Sequence, residues 1–364
     1  MRLQQVYNTT YDANGVGRAT DAFAATLADD EAPATELDHA HLELWRNAHR
    51  VLKSEDIDPE VMLQLADRTL ALAVEAGDRR RQVLALTVLA TTHATKAQWL
   101  PTSELCERIR ALGDPQDRRE ANEWNAASQL YGPWPTSVMV EAAVRQAAQA
   151  KSPRQLALYQ LHEAMARAGR GDPEGPNLVD AAFLAIEDLG SDPDMLWPVM
   201  RAMAKLLAGE PRAARDLIHT TVEAYRPTGD SSHGSTYLAW LALLELELGA
   251  DLADVAAMVD EAEDWTSHYD VISVCLVASA RAILAARTGD NDAASQRARA
   301  ALQTVDTSDQ TWQRADVRRW VSEVARARGD VEEERRLLTE ALELYAAKEI
   351  VTWNDEVRAR LAEL

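Results

Sequence analysis

The chain has 364 residues, 47% of them hydrophobic, 27% charged and only 5% aromatic. That composition folds, and it excludes a disordered chain. A formal net charge of −21 repels phosphate backbones and argues against direct nucleic-acid binding.

The N-terminal run MRLQQVYNTTYDANGVGR lacks the apolar core of a signal peptide. The longest apolar stretch, VISVCLVASA at 271–280, is too short to cross a bilayer as a helix. Together they predict a cytoplasmic protein with no membrane partner. Cys106 and Cys275 form neither a CxxC pair nor a metal spacing, and read as buried free thiols.

In chain order, residues 1–35 form an N-terminal segment, polar and poorly ordered at its start, with a short helix over 20–29. Residues 36–350 carry helical periodicity between regularly placed breaks such as EAGD at 75–78, LGDP at 112–115, KSP at 151–153, GSDP at 190–193 and PTGD at 227–230. These breaks predict eight antiparallel helical hairpins, over 36–76, 79–112, 115–150, 153–190, 192–226, 231–267, 269–305 and 310–347. An amphipathic segment, VTWNDEVRARLAEL at 351–364, reads as a helix capping the last hairpin. No segment has the βαβ alternation of a sheet protein, so the predicted class is all-α.

The strongest regularity lies in the glycines. Gly169, Gly209, Gly249, Gly289 and Gly329 are each 40 residues apart. A single compact core does not demand such spacing, but a stack of equal units does. Gly209, Gly289 and Gly329 precede an acid, which suits a left-handed helix end followed by the N-terminus of the next helix. Seven residues before the last four glycines stand Ala202, Ala242, Ala282 and Ser322, small enough for two helices to approach closely.

The stretches ARTGDNDAASQRARAAL (286–302) and ARARGDVEEERRLLTEALELY (325–345) resemble the tetratricopeptide repeat. The longer period is similar to the sensor arm of bacterial transcription activators of the LuxR and maltose-regulator type. The resemblance covers about residues 36–350. It implies a right-handed superhelical solenoid, with the first helix of each hairpin lining a concave groove. It further implies a non-catalytic protein- or peptide-binding scaffold in bacterial regulation. A small-ligand-sensing arm and an enzyme on the same scaffold are the alternatives. Those activators also carry nucleotide- and DNA-binding modules. This chain has no Gly-Lys dipeptide, hence no P-loop.

The groove geometry of that resemblance nominates Tyr159, Glu163 and Arg167, then Met203, Glu247 and Arg287, then Arg319, Glu323 and Arg326. This mixed-charge set suits a peptide or other polar segment. A second candidate is residues 227–280, which hold ten acids and no Lys or Arg. With Tyr237, Trp240, Trp265 and Tyr269, that stretch fits a cationic ligand or basic peptide. Recurrence of large apolar residues in the Trp240 slot (Met200, Trp320) favours packing there instead. His41, Trp45 and His49 share one helical stripe without metal spacing. Trp134, between Pro133 and Pro135, reads as a loop aromatic folded over a hairpin junction. No cofactor or metal site is predicted, and nothing in the pattern sets an oligomeric state.

Overall fold

The computed structural model of the chain describes residues 13–29, 34–52, 57–189, 198–226 and 231–364. Among these residues there are eighteen helices and no strand. They are α1 (Ala13–Asp29), α2 (Glu36–Leu52), α3 (Pro59–Glu75), α4 (Arg79–Thr95), α5 (Trp99–Leu112), α6 (Pro115–Tyr131), α7 (Thr136–Ala148), α8 (Pro153–Gly169), α9 (Gly175–Glu187), α10 (Pro198–Leu207), α11 (Pro211–Tyr225), α12 (Ser231–Leu248), α13 (Leu252–Trp265), α14 (Val271–Arg287), α15 (Asn291–Val305), α16 (Thr311–Ala327), α17 (Val331–Lys348) and α18 (Asn354–Glu363). Helices α2 to α17 fall in the two halves of the eight predicted ranges. Helix α1 starts earlier than the expected 20–29. Of the poorly ordered start expected over residues 1–19, residues 13–19 are instead helical, while residues 1–12 and the breaks expected at 190–193 and 227–230 lie outside the described residues.

Local signals explain the helix ends. Asp78, Asp251, Asp290 and Asp330 are N-caps whose carboxylates accept backbone N–H groups of the following first turn. Each such cap contributes about 1 kcal/mol. Gly209, Gly249, Gly289 and Gly329 hold φ between 70° and 86°. The N–H after each reaches back to a carbonyl five residues earlier, as from Asp290 to Ala285 at 2.9 Å, which closes the helix end.

Gly169 departs from this pattern. It is still helical, and the left-handed residue is Gly171 at φ 77°. The close comes instead from the Asp172 N–H to the Arg167 carbonyl at 3.0 Å. Gly169 serves close approach: its carbonyl accepts the Val351 N–H at 3.0 Å, and an added Cβ would stand 3.6 Å from Ile350.

The chain divides into two compact units, one of residues 1–96 and 101–125, the other of residues 97–100 and 126–364. In the first, α1 packs on α2, α2 on α3 and α3 on α4. Leu44, Met62, Leu86, Leu89 and Ile109 lie in its core. Thr35 and Asp38 cap α2 reciprocally, with the Thr35 N–H donating to Asp38 at 2.9 Å and the Asp38 N–H to the Thr35 hydroxyl at 3.2 Å. Arg81 pairs with the same carboxylate. The Thr35 hydroxyl foremost, with Arg81 adding to it, holds the Asp38 carboxyl down to about 2.

In the second unit, consecutive helices from α7 to α18 pack in chain order. Beyond that, α8 packs on α10, and α12, α14 and α16 pack one on the next as an inner row. Ala202, Ala242, Ala282 and Ser322 are 0% exposed, so the small-residue slots are where helices meet. The N- and C-terminal helices of this unit also touch. Lys348 donates to the carbonyls of Gln129 (3.1 Å) and Gly132 (2.6 Å). Glu349, left-handed at φ 60°, accepts the Ser137 N–H at 2.8 Å and its hydroxyl at 2.9 Å, which adds an anion at the N-terminus of α7. Asp309 accepts the N–H groups of Trp99 and Leu100 at 2.7 and 2.8 Å. Helix α18 has ten residues, too few to be stable alone. Its buried Val357 supplies about 1.5–3 kcal/mol of apolar burial.

At Gly289 no atom lies within 4 Å of an added Cβ, so substitution there costs only backbone strain. Gly289→Ala is expected to destabilise by about 1 kcal/mol, and Gly289→Val by more. Urea unfolding measures this. An unchanged midpoint in both variants contradicts a left-handed residue at this turn.

Candidate functional site

The structure brings four of the residues nominated for a groove into a ladder across α12, α14 and α16. Arg319 of α16 donates to Glu247 of α12 at 2.8 Å, and Trp320 Nε1 donates to the same oxygen at 2.7 Å. Arg287 of α14 donates to the Leu246 carbonyl at 2.7 Å and to Glu323 at 2.9 Å. Arg326 is exposed one turn further along α16. Helical spacing explains the set: residues three and four apart share a face, and the 40-residue offset carries that face from one inner helix to the next.

The other nominated residues stand apart from the ladder. Glu163 and Arg167 pair with each other on α8 at 2.7 Å, and Arg167 also reaches Asp172 at 3.4 Å. Tyr159 is buried. Met203 lies in the core cluster that holds Leu161, Met165 and Trp312.

Five of the ten acids in the acid-rich stretch pair with arginines of neighbouring helices. Glu245 pairs with Arg215, Glu247 with Arg319, Asp260 and Glu263 with Arg281, and Glu261 with Arg226. Asp251 and Asp270 cap helices. Its aromatics are mainly packing groups. Tyr237 is buried edge-on to Tyr225, with centroids 5.4 Å apart, and Trp240 packs against the core. Trp265 lies on Gly234, where an added Cβ would come within 2.9 Å of its ring. Tyr269 is exposed. Trp134 folds back over Gly132 in the same manner.

Sequence reasoning missed the groups beside the ladder. The Tyr345 hydroxyl donates to Asp316, and both are buried. Trp353 stands 5.6 Å from both Trp312 and Tyr345, centroid to centroid. The Arg319 guanidinium carbon is 5.6 Å from the Trp320 centroid and 5.7 Å from that of Trp353. The available signal was an acid on an apolar stripe: Asp316 lies four residues after Trp312 and four before Trp320.

Electrostatics follow from burial. Burial pushes the Asp316 carboxyl up to about 7, against the opposing pull of Arg319 and the Tyr345 hydroxyl. Burial draws the Lys348 ammonium down to about 7, opposed by the Asp309 charge. His41 and His162 are both drawn down to about 4 by burial, and the His162 Nδ1 faces the Leu158 carbonyl at 2.8 Å. The two thiols are free and buried. Burial pushes Cys106 up to about 12 and Cys275 higher still, so neither is a thiolate nucleophile at neutral pH. No group of three or more His, Cys, Asp or Glu suited to a metal ion occurs among the described residues, and no described helix is long and apolar enough to cross a membrane.

No protein-family model matches the chain, and comparison with curated proteins gives no match.

The two buried charges act on stability with opposite signs. Folded Asp316 holds its proton more tightly than the unfolded chain, so its contribution is complete at acid pH and lost as pH rises from 3.8 to about 7. Folded Lys348 releases its proton more readily, so stability is gained as pH rises from about 7 to 10.5. Asp316→Asn is therefore expected to gain in melting temperature relative to the parent between about pH 4 and pH 8. Lys348→Met is expected to lose relative stability between about pH 7 and pH 10. Melting curves across this range test both, and flat differences contradict the assignment.

Proposed function

We propose that the chain is a non-catalytic helical-repeat scaffold that binds a protein or peptide. It would be of the tetratricopeptide-like kind, right-handed, with a repeat of about 40 residues and the 351–364 segment as its cap. The regulatory, bacterial and cytoplasmic setting rests on the resemblance to transcription-activator sensor arms.

The observation that carries the binding reading is the mixed-charge ladder. Glu247, Arg287, Arg319 and Glu323 lie on three successive inner helices. The side chains of Glu247, Arg287 and Glu323 stay between 24% and 32% exposed, so one side of each pair is open to a partner. Alternating guanidinium and carboxylate groups can exchange pairs with an incoming polar backbone or with side chains of either charge. The part-exposed Arg287–Glu323 pair is of a kind that holds only about 0.2–1 kcal/mol, so an exchange there costs little.

A photo-cross-linker placed at Arg326 tests this in the native cell extract. A discrete adduct is expected, lost in Arg287→Ala/Glu323→Ala while the melting temperature stays within a few degrees. The reading fails if no discrete adduct forms, or if it forms equally with the double variant.

A further inference from the structure

The start of α18 covers one end of the ladder. Trp353 rests against Trp312, Tyr345 and the Arg319 guanidinium. Glu356 reaches Arg319 at 3.7 Å. Arg360 donates to the Ser322 hydroxyl at 2.9 Å and to Glu334 at 2.7 Å. The apolar fit is close, but the polar fit is not. On α16, Trp312 Nε1 and Arg319 Nε, whose side chains lie against Trp353, are buried without a hydrogen-bond partner. On the covering segment the same holds for Thr352 Oγ1, Asn354 Oδ1 and Arg360 Nε. Each such atom has lost water and gained nothing in exchange. Unsatisfied donors and acceptors thus gather on both sides of one contact.

The covered floor has a distinctive composition. Trp312, Arg319 and Tyr345, which lie against Trp353, belong to the residue types that dominate the energy of protein interfaces. The cover is slight, since within α18 only Asn354 and Val357 are buried. A well-seated aromatic anchor with poorly paired polar groups around it describes an occupant that a better-matched segment can displace.

We propose that the floor formed by α16 and α17 beneath α18 is the docking surface of a peptide partner. That partner presents an aromatic side chain followed three residues later by an acid, and it takes the places of Trp353 and Glu356. Its backbone carbonyls pair the Trp312 and Arg319 donors that α18 leaves unpaired. The proposal rests on the scaffold reading above and names the site and the class of partner.

The probe is a synthetic peptide of residues 351–364, used with the full chain. Fluorescence anisotropy is expected to show at least tenfold tighter binding to the Trp353→Ala chain than to the parent. That binding is lost when the peptide itself carries Trp353→Ala. Equal affinities, or no binding to a folded Trp353→Ala chain, overturn the proposal. If that variant does not fold, hydrogen exchange on the parent decides. Excess isotope-labelled peptide is expected to raise deuterium uptake across 354–363 while α16 stays protected, and unchanged uptake overturns the proposal. Failure here with the Arg326 adduct intact removes this site and leaves the scaffold reading standing, whereas loss of the adduct removes the scaffold reading itself.

Discussion

The inner helices of the larger unit are apolar on nearly every face, and no single neighbour can cover them. Helix α14 buries Cys275, Leu276, Val277, Ala278 and Ala280 in one unbroken neighbourhood, and α12 buries Leu238, Ala239, Leu241, Ala242, Leu243 and Leu244. A helix that is hydrophobic all round must be enclosed. Its own hairpin mate covers one side and the adjacent inner helices cover the next, so each hairpin requires the following one. Ala242, Ala282 and Ser322 make that enclosure possible by letting the inner helices approach. The polar ladder occupies what is left of the inner surface after this packing.

Helix α16 is the last of this row among the described residues, and the segment after it encloses it locally. Helix α17 supplies Tyr345, the following turn supplies Ile350, and Trp353 and Val357 complete the cover. Enclosing α16 in this way takes Asp316 and Arg319 out of water along with its apolar residues. It also draws Lys348 into a site where only two carbonyls receive it. These buried charges cost stability unless well paired, which is why their protonation reports on the integrity of this joint. The surface that must be covered for stability is thus built from Trp, Tyr and Arg side chains.

Much of this was legible in the sequence. The spacing from Gly209 to Gly329 is set by backbone geometry that few residues other than glycine accept, so it survives as a pattern. The capping acids, such as Asp290 and Asp330, follow from the same turns. The joint of α17 and α18 was not legible in advance. It depends on Lys348, Glu349 and Val351 meeting Gly132, Ser137 and Gly169, pairs separated by about two hundred positions, which periodicity does not encode. Gly169 fits the 40-residue series by position, yet α8 runs two residues further and Gly171 makes the turn. The candidate residues divide for a related reason. Glu247, Arg287, Arg319 and Glu323 lie on α12, α14 and α16, where one face continues from helix to helix. Tyr159 and Met203 lie further back along the chain, among buried residues.

The larger unit joins its own N- and C-terminal helices rather than running as an open stack. Spin labels at the exposed positions Arg170 and Ala347 test it by electron–electron resonance. The hydrogen bond from Val351 to Gly169 and the short reach of four residues place the two labels within about 20 Å. Five hairpins stacked openly at about 10 Å per step would separate them by about 40 Å. The account predicts the short distance as the single dominant population. A distribution centred on the long one contradicts it.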